Sequence, residues 1–392
     1  MTTLNEKLQL LQHKILDTDG NIRIMIIGLG SVGEYLLDYL VSQADPRMEI
    51  IVVGRNRDKM ESDVNIVRTA ATIRRQMRCA IHIEAGCDLN SVDSIAEVLR
   101  KWQPDFIVNS SRVYSGLKYG SISWSHLRAY GIWTPLSVKF AANIMEAYAK
   151  AGCKAIAINT SYSDAVIPWL KASGRAWFDF GSGNLNHLIP RMKFYVAEKF
   201  GIDNLNDIDI TLAVSHFHDV VISKEGHAEG QDILIDVKYQ GKPLDVDVKE
   251  LLAACKIAMP VDQKRNMMNA SSNFDIINSI LEAIRGHKEV KIHTPGVNGE
   301  IGGYPFIIDG RDKAEGHIDE SVFTLDAMRQ ANRKSIYLDG IENVDDRGLT
   351  YTDELLSKVK NEFGVDLPKT FTLDRSHLVA DQLINDIIKP NI

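Results

Sequence analysis

Residues 22–57 read IRIMIIGLGSVGEYLLDYLVSQADPRMEIIVVGRNR, and no other stretch constrains the fold as much. Residues 22–27 are a near-continuous apolar run with one basic interruption, the pattern of a parallel strand buried on both faces. Gly28, Gly30 and Gly33 follow in GxGxxG spacing, and Tyr35, Leu36, Leu37, Tyr39 and Leu40 then recur as in a helix. Gly28 allows a tight turn off the strand, Gly30 lets a pyrophosphate approach the backbone, and Gly33 lets the helix pack closely on the sheet. A second apolar strand at residues 48–53 closes a βαβ unit. In that context the motif predicts a dinucleotide site, with Gly28, Gly30, Ser31, Val32 and Gly33 against the phosphates at a helix N-terminus.

The end of the second strand bears on which dinucleotide is held. An acid there would hydrogen-bond a ribose 2′-hydroxyl, whereas arginine suits a 2′-phosphate. The chain has Gly54, Arg55, Asn56 and Arg57, with no acid before Asp58. Two guanidiniums predict NADP, with NAD as the alternative if Arg55 and Arg57 are simply solvated.

A chain of 392 residues exceeds one compact core and predicts more than one domain. Its net charge of -7 argues against nucleic acid or an anionic membrane as partner and leaves a small-molecule substrate. Cys79, Cys87, Cys153 and Cys255 form no CxxC pair, so free thiols in a reducing, cytoplasmic setting are expected. The first residues lack the apolar core of a signal peptide, and no window suits a transmembrane helix.

Strand and helix patterns alternate through about residue 170, as in a Rossmann-type doubly wound parallel sheet. Asp88 and Leu89 follow the third strand, where they would lie near the adenine or simply begin the next helix. Asn109, Ser110, Ser111 and Arg112 end the fourth strand, and Thr160, Tyr162 and Asp164 follow the fifth, where ligands of such sheets bind. Tyr114 and Lys118 have YxxxK spacing, but in a glycine-containing loop rather than on a long helix, so the pair is discounted. From residue 207 the pattern becomes antiparallel, with a turn at Gln240-Gly241. The reading is α/β with three parts: 1–175, a dinucleotide domain with an N-terminal helix; 176–330, an α+β domain on a largely antiparallel sheet; and 331–392, returning helices. The antiparallel sheet would also offer a homodimer surface.

The segments IGLGSVG, VVGRNRDK, CDLNSVDSIAEVLRKWQPDFIVNSS and INTSYSDAVIPWL together resemble the saccharopine dehydrogenase-like NAD(P) oxidoreductases over the first 170 residues. The resemblance implies hydride transfer at a carbon–nitrogen bond of an amino acid derivative, such as an imine, or on a related 2-oxo or 2-amino acid.

Such chemistry needs one proton donor or acceptor beside the coenzyme. His216 and His218, two apart on an expected strand, would share a face and supply it, or bind a metal with His227 and Asp219, or be satisfied within a sheet. No complete metal set is legible, and none is assigned. Tyr162 and Asp164 are further catalytic candidates, although Asp164 could merely cap a helix. The glycine-rich run 295–305 offers Tyr304 as a catalytic group and Glu300 as a substrate group, in a lid or a plain loop. Arg112, Arg175 or Arg191 would hold a carboxylate. The competing readings are a carbonyl or alcohol dehydrogenase and a non-catalytic NADPH-binding regulatory protein.

Overall fold

The computed structural model describes residues 2–114 and 116–391, without the side chains of Leu117, Lys118 and Asn184. The chain opens with α1 (Leu4–Leu16), whose capping box pairs Thr3 and Glu6. There follow β1 (Ile22–Ile27), α2 (Ser31–Ser42), β2 (Met48–Gly54), α3 (Arg57–Ile73), β3 (Ala80–Ala85), α4 (Val92–Trp102) and β4 (Phe106–Asn109). Next come α5 (Gly116–Ile122), α6 (Thr134–Lys150), β5 (Ile156–Asn159), α7 (Ser163–Ala172) and β6 (Phe180–Gly181).

The six strands form one parallel sheet in the order β3-β2-β1-β4-β5-β6. The order reverses between β1 and β4, and the crevice beyond their carboxyl ends is the ligand position of a doubly wound sheet. β1 is apolar on both sides because both faces are covered, and Ile24, Met25 and Ile26 are fully buried. The sheet runs past residue 175, since β6 is made by 180–181 within the glycine-rich stretch.

Beyond the sheet lie α8 (Asn184–Phe200), β7 (Ile208–Ala213), α9 (His216–Glu225), β8 (Leu234–Tyr239), β9 (Lys242–Pro243), α10 (Val248–Ala254) and α11 (Asn266–Gly286). Then come β10 (Glu289–Pro295), β11 (Gly303–Asp309), β12 (Glu315–Ile318) and α12 (Leu325–Leu338). β7-β8-β9 and β10-β11-β12 are separate antiparallel sheets. The terminal segment, expected to be helical, holds a third one, formed by β13 (Ile341–Asp345), β14 (Gly348–Tyr351) and β15 (Thr370–Phe371) around α13 (Asp353–Phe363), before α14 (Ser376–Gln382).

These parts share cores with the parallel sheet. On one face Leu99, Ile144 and Trp169 cluster with Ile341, Leu349, Tyr351 and Leu383. On the other, Leu8, Leu36 and Leu37 cluster with Ile276, Ile280 and Phe306. A buried ion pair pins α1 to the sheet, Lys7 Nζ lying 2.7 Å from Asp179 Oδ2. Leu188, Met192, Leu212 and Leu251 make a third cluster between α8, β7 and α10. Among the described residues no helix is long and apolar enough to cross a membrane.

Candidate active site

A cavity of about 960 Å³ opens beyond the carboxyl ends of β1, β2, β4 and β5 and reaches across to α8, α9 and the start of α11. Its lining carries six basic side chains (Arg55, Lys59, Arg112, Arg191, Lys224, Arg265) against three acidic ones (Asp88, Asp219, Asp262), although the whole chain is acidic at -7. Such a pocket concentrates anionic ligands.

The glycine turn forms one end. Gly28 holds φ +94° with Ser111 Cα 2.9 Å from where a Cβ would stand, and a Cβ on Gly33 would meet the Gly28 carbonyl oxygen at 2.4 Å. Gly30 differs, for a Cβ there would meet nothing within 4 Å and would project into the cavity. The first and third glycines therefore serve packing, and the second leaves space for a ligand. Ser110 Oγ donates to the Gly28 carbonyl at 2.6 Å, and Asn266 Nδ2 donates to Ser31 Oγ at 2.6 Å, tying α11 to this turn.

Of the expected coenzyme residues, Gly28, Gly30, Ser31, Val32, Arg55, Asn56, Asp88, Leu89, Ser110, Ser111 and Thr160 line the cavity. Gly33 lies behind it. Asn109 is buried instead, its Oδ1 accepting from the Ser111 N–H and hydroxyl and its Nδ2 donating to Asn159, so it positions the loop. Arg57 is outside as well. α3 begins at Arg57, with Asn56 as N-cap, and Arg57 turns along the helix to Glu61 at 3.2 Å. One guanidinium, Arg55, is left to face the pocket.

The HxH pair separates completely. α9 begins directly after Ser215, so His216 and His218 stand on a helix, where residues two apart diverge by about 200°. His218 is buried against Ser335 Oγ at 2.7 Å, and burial pushes its imidazole down to about 4. It does not reach the pocket, and the two histidines cannot chelate one ion. His227 sits apart with Glu225 and Glu229, a group that Arg128 already bridges.

His216 does line the pocket. Its Nδ1 lies 2.9 Å from Asp339 Oδ2, its ring packs edge-on against Tyr130 and Tyr162, and Nε2 has no hydrogen-bond partner among the described residues. Asp339 is fully buried and is held by the Tyr130 N–H at 2.7 Å and the Tyr162 hydroxyl at 2.7 Å. Burial alone would lower the His216 pKa, but the Asp339 carboxylate, by charge and hydrogen bond, raises it above its ordinary value, with Asp164 and Asp219 adding to this. Asp164 stands behind the histidine, its Oδ1 accepting the His216 N–H at 3.0 Å, and burial raises its pKa to about 6.

Arg191 on α8 is 3% exposed and lines the same cavity. Its guanidinium donates to the carbonyls of Cys255 and Ser223 and to Met259 Sδ, makes no ion pair among the described residues although the Asp219 carboxylate acts on it by charge, and leaves Nε unpaired. A buried guanidinium held in no ion pair suits an anionic ligand. Arg112 lines the pocket from an exposed position, whereas Arg175 pairs with Glu146 and Asp374 elsewhere.

The glycine-rich run contributes nothing to the lining. Tyr304 is fully buried on β11, its hydroxyl donating to the Ile301 carbonyl at 2.9 Å, and Glu300 is held by Arg329. A Cβ on Gly296 or Gly299 would collide with Ser163, Ile167 or Lys171 of α7, so these glycines serve close packing rather than a lid. The Lys118 side chain, and with it the YxxxK pair, lies outside the described residues.

Sequence reasoning missed Asp339, which looks like an ordinary turn residue in the segment LDG, and Arg265 at the start of α11. It also missed His187. That residue and Arg191 are four apart on α8, a spacing that a helical reading of NLNHLIPRM would have placed on one face.

No family model and no curated protein matches the chain. Solved structures do match. The malate dehydrogenase of Cryptosporidium parvum aligns with TM-score 0.52 and 12% identity over 81% of this chain and 98% of its own. That of Picrophilus torridus, in its apo form, aligns with TM-score 0.52 and 14% identity over 82% and 97%. One from Plasmodium falciparum gives TM-score 0.50 and 13% identity over 80% and 95%. The chain thus shares the mixed α/β fold of these structures, a six-stranded Rossmann-type sheet with added antiparallel sheets. The resemblance to saccharopine dehydrogenase-like enzymes is overturned, since the matching structures are malate dehydrogenases and no family model supports it, and the carbon–nitrogen reading goes with it. Its motif segments are those of a dinucleotide-binding sheet in general, which is why they misled.

Proposed function

We propose that this chain is a nicotinamide dinucleotide-dependent oxidoreductase that interconverts a 2-hydroxy acid and a 2-oxo acid. The observation that carries the reading is the convergence of three features on one cavity: the open glycine turn, a histidine backed by a buried carboxylate, and a buried arginine in no ion pair among the described residues. Malate, named for the matching dehydrogenases, is itself a 2-hydroxy acid.

The turn at Gly28, Gly30 and Ser31 would hold the pyrophosphate, Leu89 and Asp88 would flank the adenosine end, and the bound dinucleotide would supply or accept the hydride. Arg191 would bind the carboxylate and fix the reacting carbon. His216, protonated, would give its Nε2 proton to the carbonyl oxygen as negative charge develops there, and would take it back in oxidation. Asp339 stabilises that imidazolium and sets the tautomer, and Tyr162 and Tyr130 hold Asp339. Arg55, with no acid beside it at the end of β2, favours NADP over NAD.

The test is a panel of 2-oxo acids with NADPH and with NADH, read as loss of reduced-nicotinamide absorbance. Turnover that is stronger with NADPH is expected. If no acid turns over in either direction with either coenzyme, the reading fails.

A further inference from the structure

Within the pocket, α8 and α9 present two pairs of polar residues to each other at helical spacing: His187 and Arg191 on α8, Asp219 and Ser223 on α9. Each pair is four residues apart, so each lies on a single face of its helix. The faces meet where His187 Nδ1 stands 3.8 Å from Asp219 Oδ2, too far for a hydrogen bond. All four side chains keep a buried polar atom unpartnered: His187 Nε2, Arg191 Nε, Asp219 Oδ1 and Ser223 Oγ. Asp219 is only 4% exposed, so its unpaired oxygen is not serving solvent. Buried polar groups are ordinarily satisfied, and four adjacent exceptions on residues that line one cavity mark a place where something else supplies the partners.

The charges restrict what that partner is. A second carboxylate would face the Asp219 oxygen at close range. An ammonium would enter a pocket in which basic side chains outnumber acidic ones two to one. A hydroxyl meets neither objection, because it donates to Asp219 and accepts from His187 or Ser223. We propose that the Asp219, His187 and Ser223 cluster is a substrate subsite for a hydroxyl group on the carbon chain beyond the reacting carbon. The substrate is therefore a hydroxylated 2-oxo acid and not a dicarboxylate. This assignment rests on the oxidoreductase reading above for the reacting end, and on the unpaired atoms for the distal end.

The experiment compares three 2-oxo acids of equal chain length, ending in a methyl, a hydroxymethyl or a carboxylate group, with wild type and Asp219→Asn at saturating NADPH. Wild type should favour the hydroxymethyl acid by about tenfold or more in kcat/KM, because a site built for a hydroxyl rejects analogues that leave its polar groups unpaired. Asp219→Asn should bring the carboxylate acid to within about threefold of it, mainly through KM. A wild-type preference for the carboxylate or methyl acid, or a ranking unchanged in Asp219→Asn, overturns the subsite. Coenzyme titration reports folding of the variant; should Asp219→Asn fail it, His187→Gln takes its place with the same expected loss of preference. If no acid turns over, calorimetric binding to NADPH-loaded protein separates the two claims. The same order of affinities, lost in the variant, supports the subsite and removes the redox reading; no order removes both.

Discussion

Replacing Gly30 and Gly33 one at a time by alanine asks whether the glycine turn serves a ligand or only the fold. A Cβ on Gly33 would stand 2.4 Å from the Gly28 carbonyl oxygen and 3.2 Å from Ser110 Oγ, which itself donates to that carbonyl at 2.6 Å. Neither neighbour can yield, because Gly28 is packed backbone to backbone against Ser111, so α2 must lift off the sheet. Overpacking of this kind costs about 1–3 kcal/mol, a fall in Tm on the order of 5 °C. Gly30 has φ -99° and ψ -170°, ordinary for alanine, and its Cβ would touch nothing. As the N-cap of α2 it would lose only about 0.5 kcal/mol on becoming alanine. The added methyl would occupy the space assigned to the pyrophosphate, and an affinity loss of about tenfold or more, some 1.4 kcal/mol, is expected. Thermal melting without coenzyme and fluorescence titration with NADPH measure the two effects separately. If Gly30→Ala melts as low as Gly33→Ala, the packing account is wrong; if it binds NADPH like wild type, the pyrophosphate does not lie there.

Arg55→Ala should weaken NADPH binding about tenfold and change NADH binding by less than about threefold, measured by titration of both. His216→Gln should lower kcat by roughly 100-fold or more with little change in KM for the acid, since the proton donor is lost while Arg191 remains. The folded pKa of His216 is raised above its ordinary 6.5, so reduction should persist above that pH and fail as pH passes the raised value, and Asp339→Asn should move that limb of the rate profile to lower pH. The same sign holds for stability: the contribution of the His216–Asp339 pair is full below about 6.5 and is lost as pH rises through the folded value, as urea melts across pH would record. Lys7→Met leaves the Asp179 carboxylate buried without its cation and should cost about 3–5 kcal/mol in urea unfolding, much of it recovered in the double variant with Asp179→Leu; a loss under about 1 kcal/mol would remove the pair from the account of how α1 is held.

The βαβ unit was legible because its signals are local: an apolar run, three glycines at fixed spacing and an amphipathic helix lie within about 30 residues. In the sequence Arg191 is only one of three arginines that could hold a carboxylate, and nothing local sets it apart from Arg112 and Arg175. The histidines were misjudged because alternation of apolar and polar residues in AVSHFHDVV suits a strand, whereas the chain leaves β7 at Ala213 and Ser215 starts a helix. Tyr304 and Glu300 were misjudged because glycines that let a loop pack against α7 look the same in sequence as glycines that bring backbone to a ligand.

Residue order alone settles the parallel sheet and the glycine turn that leads into its first helix, since strand, turn and helix are each decided by neighbours a few positions away. Only the folded chain decides which charged groups work together: His216 meets Asp339 across 123 positions, and four polar side chains from two helices come together with a polar atom of each unpaired. Charge and hydrogen bonding act over a few ångströms of space regardless of distance along the chain, so a linear pattern cannot encode those partnerships in any form a reader of the sequence could see.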